Sequence, residues 1–169
     1  MVNYFYTEQI AEQIKNVCDE ELPVEIAKNI SCGDFSVLPE PEKLNEYLPA
    51  IIINSKGVDT KETNKSAGIF NMNYKFEIYY LFPYEFKEFE DTPKQAKLNT
   101  QKVANLFLNY PDLDEFEVEQ TDDEQGGYVA ESEIGIIEFE SAETALFKML
   151  DVPMSIGKVP LMVNFMTYQ

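Results

Sequence analysis

The chain has 169 residues, with 31 Asp and Glu against 13 basic residues, a formal net charge of −18 and a pI near 4.2. All 13 basic residues are Lys, and Arg, His and Trp are absent. Without His there is no Ser-His-Asp or Cys-His nucleophile in its usual form and no His-ligated metal, and without Arg there is no planar fork for phosphate.

The net charge also has the wrong sign for nucleic acid or an anionic membrane surface. A length of 169 residues fits one domain spanning 1–169, and 44% hydrophobic with 26% charged residues lies in the globular range. Met1 to Asp19 lack the basic start of a signal peptide. The apolar run Leu48–Ile53 is too short to span a membrane. Two cysteines in a chain of this size, Cys18 and Cys32, read as a reduced pair, so the expectation is a soluble cytoplasmic protein.

In chain order, Asn3–Glu20 predicts an amphipathic helix. Tyr6, Ile10, Ile14 and Val17 recur at helical spacing, Glu8, Glu12 and Lys15 take other faces, and Pro23 closes the run. Val24–Ile30 predicts a short strand. Leu38–Pro49 is punctuated by proline, with room for one helical turn after Pro41. The β-branched run Ala50–Asn54 is followed by polar Ser55–Ser66, which reads as a long mobile loop or hairpin tip.

The clearest element is Phe70–Phe82. Phe70, Met72, Tyr74, Phe76, Ile78, Tyr80 and Phe82 alternate with other residues, so a long central antiparallel strand with one face in a core is predicted. Alternation lapses at Tyr79 and Leu81, where both faces are expected to be covered. Thr92, Pro93 and Gln95 form a helix start, the stripe Ala96, Val103, Leu106, Phe107 and Tyr110 has helical spacing, and Pro111 ends it. Phe116–Thr121 and Gly127–Glu138 predict a hairpin around residues 122–127. Ser141–Leu150 predicts a short helix broken by Pro153 and Gly157, and Pro160–Tyr168 a last strand. Together these give an α+β fold, a mainly antiparallel β-sheet with helices packed on one face.

Charge is concentrated. Residues 103–147 contain 13 acids and no lysine. Such a run is a solvated surface, or a one-sign surface that repels DNA or docks a basic partner. Asp112, Asp114, Asp122, Asp123 and Glu124 offer the oxygens that a hard cation takes. However, Phe116 stands where the third ligand of an EF-hand would be, so no metal site is assigned. Gly33, Gly126 and Gly127 belong to no phosphate loop. With no nucleophile beside a base, no catalytic residue and no cofactor are assigned, and no enzyme is expected.

The layout resembles the tail terminator (tail completion) proteins of long-tailed bacteriophages. The resemblance is carried by the helix Tyr6–Val17, the strand entry LPAIII (Leu48–Ile53), the long strand NMNYKFEIYYLF (Asn71–Phe82), the helix KQAKLNTQKVANLFLNY (Lys94–Tyr110), a hairpin, and the closing strand PLMVNFMTYQ (Pro160–Gln169). Residues 141–157 read as an insertion relative to many such proteins. The resemblance implies a non-enzymatic virion protein, made in the host cytoplasm and located in the tail. It would form a ring with itself, typically hexameric, that caps the tail tube protein and meets the head-tail connector protein, with no sequence-specific nucleic acid and no membrane as partner.

On that reading Asp112, Asp114, Glu115, Asp122, Asp123 and Glu124 form an acidic channel or rim, and the loop with Lys56, Asp59, Lys61 and Lys65 contacts a neighbouring subunit. Crowding like charge predicts assembly that strengthens with salt. A different class fits the same acidic run: a small acidic inhibitor or DNA mimic that binds a basic partner.

Overall fold

In the computed structural model, residues 6–64, 69–83, 91–109, 112–118, 128–136, 147–149 and 152–168 are described. They form α1 (Thr7–Glu21), β1 (Asn29–Cys32), a 3-10 turn (Phe35–Val37), α2 (Pro41–Tyr47), β2 (Ala50–Asn64), β3 (Ile69–Pro83), α3 (Asp91–Asn109), β4 (Asp112–Val118), β5 (Tyr128–Ile136), β6 (Phe147–Met149) and β7 (Val152–Tyr168).

The seven strands make one sheet in the order β1-β2-β3-β7-β5-β4, with β6 paired to the start of β7. Every pairing is antiparallel except β1 with β2. The fold is α+β. β3 and β7 pair in continuous register from Ile69↔Tyr168 to Pro83↔Met154, so the C-terminal strand fills the middle of the sheet. At roughly 3.4 Å per residue, β3 runs about 50 Å.

The alternation in β3 sets the core. Met72, Tyr74, Phe76, Ile78 and Tyr80 are buried on one face with Ile51, Ile53, Val159, Leu161 and Val163. The two long helices cover this face. α1 contributes Ile10, Ala11, Ile14 and Cys18, and α3 contributes Val103, Ala104, Leu106 and Phe107. β1 and β2 are parallel neighbours, so the chain between them must cross over a face of the sheet. It crosses on the far side. There α2 and the 3-10 turn bring Leu44, Leu48 and Phe35 onto Ala50, Ile52, Leu81, Met154 and Tyr79. The four residues Ala50–Ile53 thus face two cores alternately, as an unbroken apolar run does when a strand is covered on both sides.

Four expectations change. The strand predicted at Val24–Ile30 begins at Asn29, because Pro23 O accepts the amides of Ile26 and Ala27 (2.9 and 3.1 Å) and makes a turn that leaves Val24 exposed. Of the two readings of the polar stretch after Asn54, the loop is wrong and the hairpin is nearer: β2 continues to Asn64 as the far arm of the β2–β3 hairpin, paired with β3 through two bulges, and only 65–68 lie outside the described residues. The helix predicted at Ser141–Leu150 is contradicted at Phe147–Met149, which is strand β6. Residues 141–146 and 150 lie outside the described residues. Pro153 and Gly157 do not break the chain either. β7 runs through both, Pro153 opposite Lys148 and Gly157 opposite Tyr80.

Gly157 has a packing reason. A Cβ there would lie 2.6 Å from Thr100 Cγ2 and nearer still to Thr100 Oγ1, so the residue lets α3 sit directly on β7. Thr100 Oγ1, fully buried, donates to Ala96 O at 2.7 Å and leaves no orphaned group at that contact.

Candidate functional site

Three groups of polar side chains among the described residues can be weighed as sites. The first lies between α3 and the sheet. Gln95 Nε2 donates to Asn99 Oδ1 (2.9 Å), Asn99 Nδ2 donates to Tyr80 Oη (2.9 Å), and the Tyr80 hydroxyl donates to Ile26 O (2.7 Å). Burial pushes the Tyr80 phenol up to about 12, against the hydrogen bond from Asn99, which favours the ionised form. A neutral, fully donated tyrosine is a strut between helix, strand and turn and has no proton to exchange near neutral pH.

The second group lies on the α2 side of the sheet. Glu77 Oε1 accepts from Lys158 Nζ and Oε2 from Lys56 Nζ, each at 3.2 Å, and the Tyr79 hydroxyl also donates to Oε2. Lys56 Nζ lies 5.9 Å from the centre of the Tyr79 ring, which meets Phe35 at 4.9 Å between centroids. Burial alone would raise the Glu77 carboxyl, but the hydrogen bonds from Tyr79, Lys158 and Lys56 outweigh it and hold the group below its ordinary value. Burial, followed by the hydrogen bond to Glu77, pushes the Tyr79 phenol up. Here a Lys–carboxylate cluster exists, but its one carboxylate is already held by two lysines. It bridges β2, β3 and β7.

The third group is a surface. On α3, Ala96, Asn99, Thr100, Val103, Ala104, Leu106 and Phe107 are buried, which turns Lys94, Lys97, Leu98, Lys102 and Asn105 outward. Leu98 is 52% exposed. From Asp91 to Asn109 there are three lysines and a single acid in a chain of net charge −18. None of the ion pairs among the described residues involves Lys94, Lys97 or Lys102. An open groove of about 610 Å³ runs beside the C-terminal half of this helix, between Leu22, Pro23 and Ile26 on one side and Lys102, Asn105 and Leu106 on the other. Sequence reasoning used the apolar stripe of this helix and passed over its lysines. Their excess over acid in a strongly acidic chain was the available signal.

The residues expected to act at a surface fall in two places. Asp112, Asp114 and Glu115 lie on β4, which among the described residues pairs only with β5 and breaks register between Leu113 and Phe116. Asp122, Asp123 and Glu124 lie outside the described residues. Lys56 and Asp59 lie on strand, not on a loop: Lys56 is tied to Glu77, and Asp59 pairs with Lys75 across the hairpin. Lys61 also lies on β2, and Lys65 is outside the described residues. The described members of the acidic and lysine sets are therefore on different edges of the sheet and do not form one site.

Among the described residues, no three Cys, Asp or Glu side chains gather where they could hold a metal ion, and no helix is long and apolar enough to cross a membrane. Cys18 and Cys32 are free thiols. Burial pushes the Cys18 thiol up to about 12 and raises Cys32 as well, so neither is an activated nucleophile. No family model matches the chain, and no curated protein matches it.

Proposed function

We propose that the chain is a structural, non-catalytic virion protein of the tail-terminator kind. It assembles with copies of itself into a ring, hexameric by analogy with that family, which caps the tail tube and meets the head-side connector. Assembly takes place in the host cytoplasm and the product is part of the tail. The observation that carries this reading is the open sheet. Among the described residues β1 covers β2 only at Ala50–Ile53, so the outer edge of β2 from Ser55 onward has no strand beside it, and at the other end β4 has a neighbour on one side only.

A sheet with two open edges at opposite ends suits contacts in which one copy's surface meets a different surface of the next, and such contacts close into rings. The element order supports the same reading, with an N-terminal helix, a long β2–β3 hairpin, the helix α3 and a C-terminal strand. So does the chemistry. Glu77 is neutralised by its own lysines, the tyrosine of the buried network is held neutral, and neither free thiol is activated. An acidic ring lets a DNA polyanion pass without sticking, because like charges repel and there is little Lys contact to hold it.

The test is native mass of the full chain over a concentration series, alone and with purified tail tubes. A closed oligomer that binds tube ends is expected. A monomer at every concentration that also ignores tubes would refute the ring. The acidic stretch 103–147 favours one other outcome of that experiment, a monomer that captures a basic protein and releases it as salt rises.

A further inference from the structure

The lysine face of α3 has no acid of its own chain among its described ion-pair partners, while the acids of β4 lie at the rim of the sheet. β4 carries Asp112, Asp114, Glu115 and Glu117 in seven residues, with no lysine. α3 packs its other side on β3, β5 and β7, so its lysines look away from the sheet in which β4 is the last strand. We infer that the outer face of α3, bearing Lys94, Lys97, Leu98 and Lys102, is a docking surface for the acidic β4 edge of a second copy of this chain. The inference rests on the self-assembly proposed above and names the surfaces that meet.

Charge selects this pairing over the symmetric alternatives. Two β4 edges brought together would set acid on acid, and two α3 faces would set lysine on lysine. Only the unlike pairing is attractive. Leu98, more than half exposed among the lysines, gives the contact an apolar centre that β4 has to cover, as the middle of an interface requires. β4 touches α1 and, among the described residues, has a strand on one side only, and a charged strand with a register break resists addition of a neutral strand. The contact joins unlike charges, so salt weakens it while also relieving the self-repulsion of copies that each carry −18, and charge reversal rather than a salt series isolates it.

The experiment uses the full chain and two charge-reversal variants, Lys94→Glu/Lys97→Glu/Lys102→Glu and Asp112→Lys/Asp114→Lys/Glu115→Lys, with native mass as the readout and circular dichroism to show that each is folded. Each variant alone is expected to need at least about tenfold more protein to assemble than the unmodified chain. An equimolar mixture of the two is expected to recover assembly, since the acidic helix of one then faces the basic edge of the other. The contact is overturned if both folded variants assemble like the parent or if their mixture fails to recover. The ring fails separately. A parent that stops at a dimer, with both variants impaired and the mixture restored, keeps the contact and refutes the ring, and a parent that is always monomeric refutes both.

Discussion

The two faces of the sheet solve different problems. On the α1 and α3 side, four aromatic side chains (Tyr74, Phe76, Tyr80 and Phe107) lie fully buried with aliphatic residues from four strands and both helices. On the α2 side there is a small apolar cluster around Leu44, Ile52, Leu81 and Met154, and beside it the sheet carries Glu77, Lys56 and Lys158 partly open to water. The first face makes the protein stable. The second is apolar only where a parallel crossover obliges the chain to return over it, and is otherwise a charged surface stitched by side-chain contacts. The comparison teaches that the same strand can alternate between a deep core and a set of surface ion pairs. Phe76 and Glu77 are neighbours in sequence and belong to different energetic regimes.

Substitution at neighbouring β3 positions tests that contrast. Phe76→Ala removes a ring that is 1% exposed in the larger core, and a loss of about 3–5 kcal/mol in urea unfolding is expected. Leu81→Ala, in the smaller cluster, is expected to cost about 2–3 kcal/mol and to rank below it. Equal losses at the two positions would mean that the α2 side is as much a core as the other.

A sharper probe is the seam between α3 and β7. Gly157→Ala drives a methyl into Thr100, and an overpacking loss of about 1–3 kcal/mol is expected. Thr100→Ala relieves the clash only in part, because the Thr100 Cβ lies 2.8 Å from where the new methyl would sit. The double variant should therefore be less destabilised than the two single losses added together. Strict additivity in a thermal or urea series would show that the helix and strand are not in direct contact there.

How much of this was legible follows from where periodicity speaks. The strand at Phe70–Phe82 was readable because one face is a continuous apolar row, and the double coverage at Tyr79 and Leu81 was readable because the row there loses its polar partners. α1, α2 and α3 showed through their stripes and prolines. The outer half of β2 did not, since from Ser55 to Asn64 it pairs on one edge only and carries few apolar residues to set a period. The start of β7 was hidden by Pro153 and Gly157, which in isolation mean a break. Gly157 is there because Thr100 lies above it, a contact between residues 57 positions apart that no local pattern reports. The acids of residues 103–147 stood out as a run, while the three lysines of α3 are spread over two turns and diluted by the apolar residues that fix the helix.

The gentlest test concerns Glu77. Its carboxyl is held below the ordinary value of 4.5 by hydrogen bonds from Tyr79, Lys158 and Lys56 that outweigh its burial. The folded protein therefore binds that proton less tightly than the unfolded chain does. The stability this gives is fully present above about pH 4.5 and drains as pH falls through the lower folded value. Glu77→Gln keeps the shape and removes the charge. At pH 7 it is expected to lower the melting temperature by no more than about 2–4 °C, since exposed ion pairs contribute little and salt screens them. Between pH 6 and pH 3 the parent should lose stability faster than the variant, so that the two melting curves converge in acid. A gap that stays constant across that range would mean the carboxylate acts by packing alone. A loss as large as that of Phe76→Ala would move Glu77 from the surface of the second face into its core, and the division between the two faces would have to be redrawn.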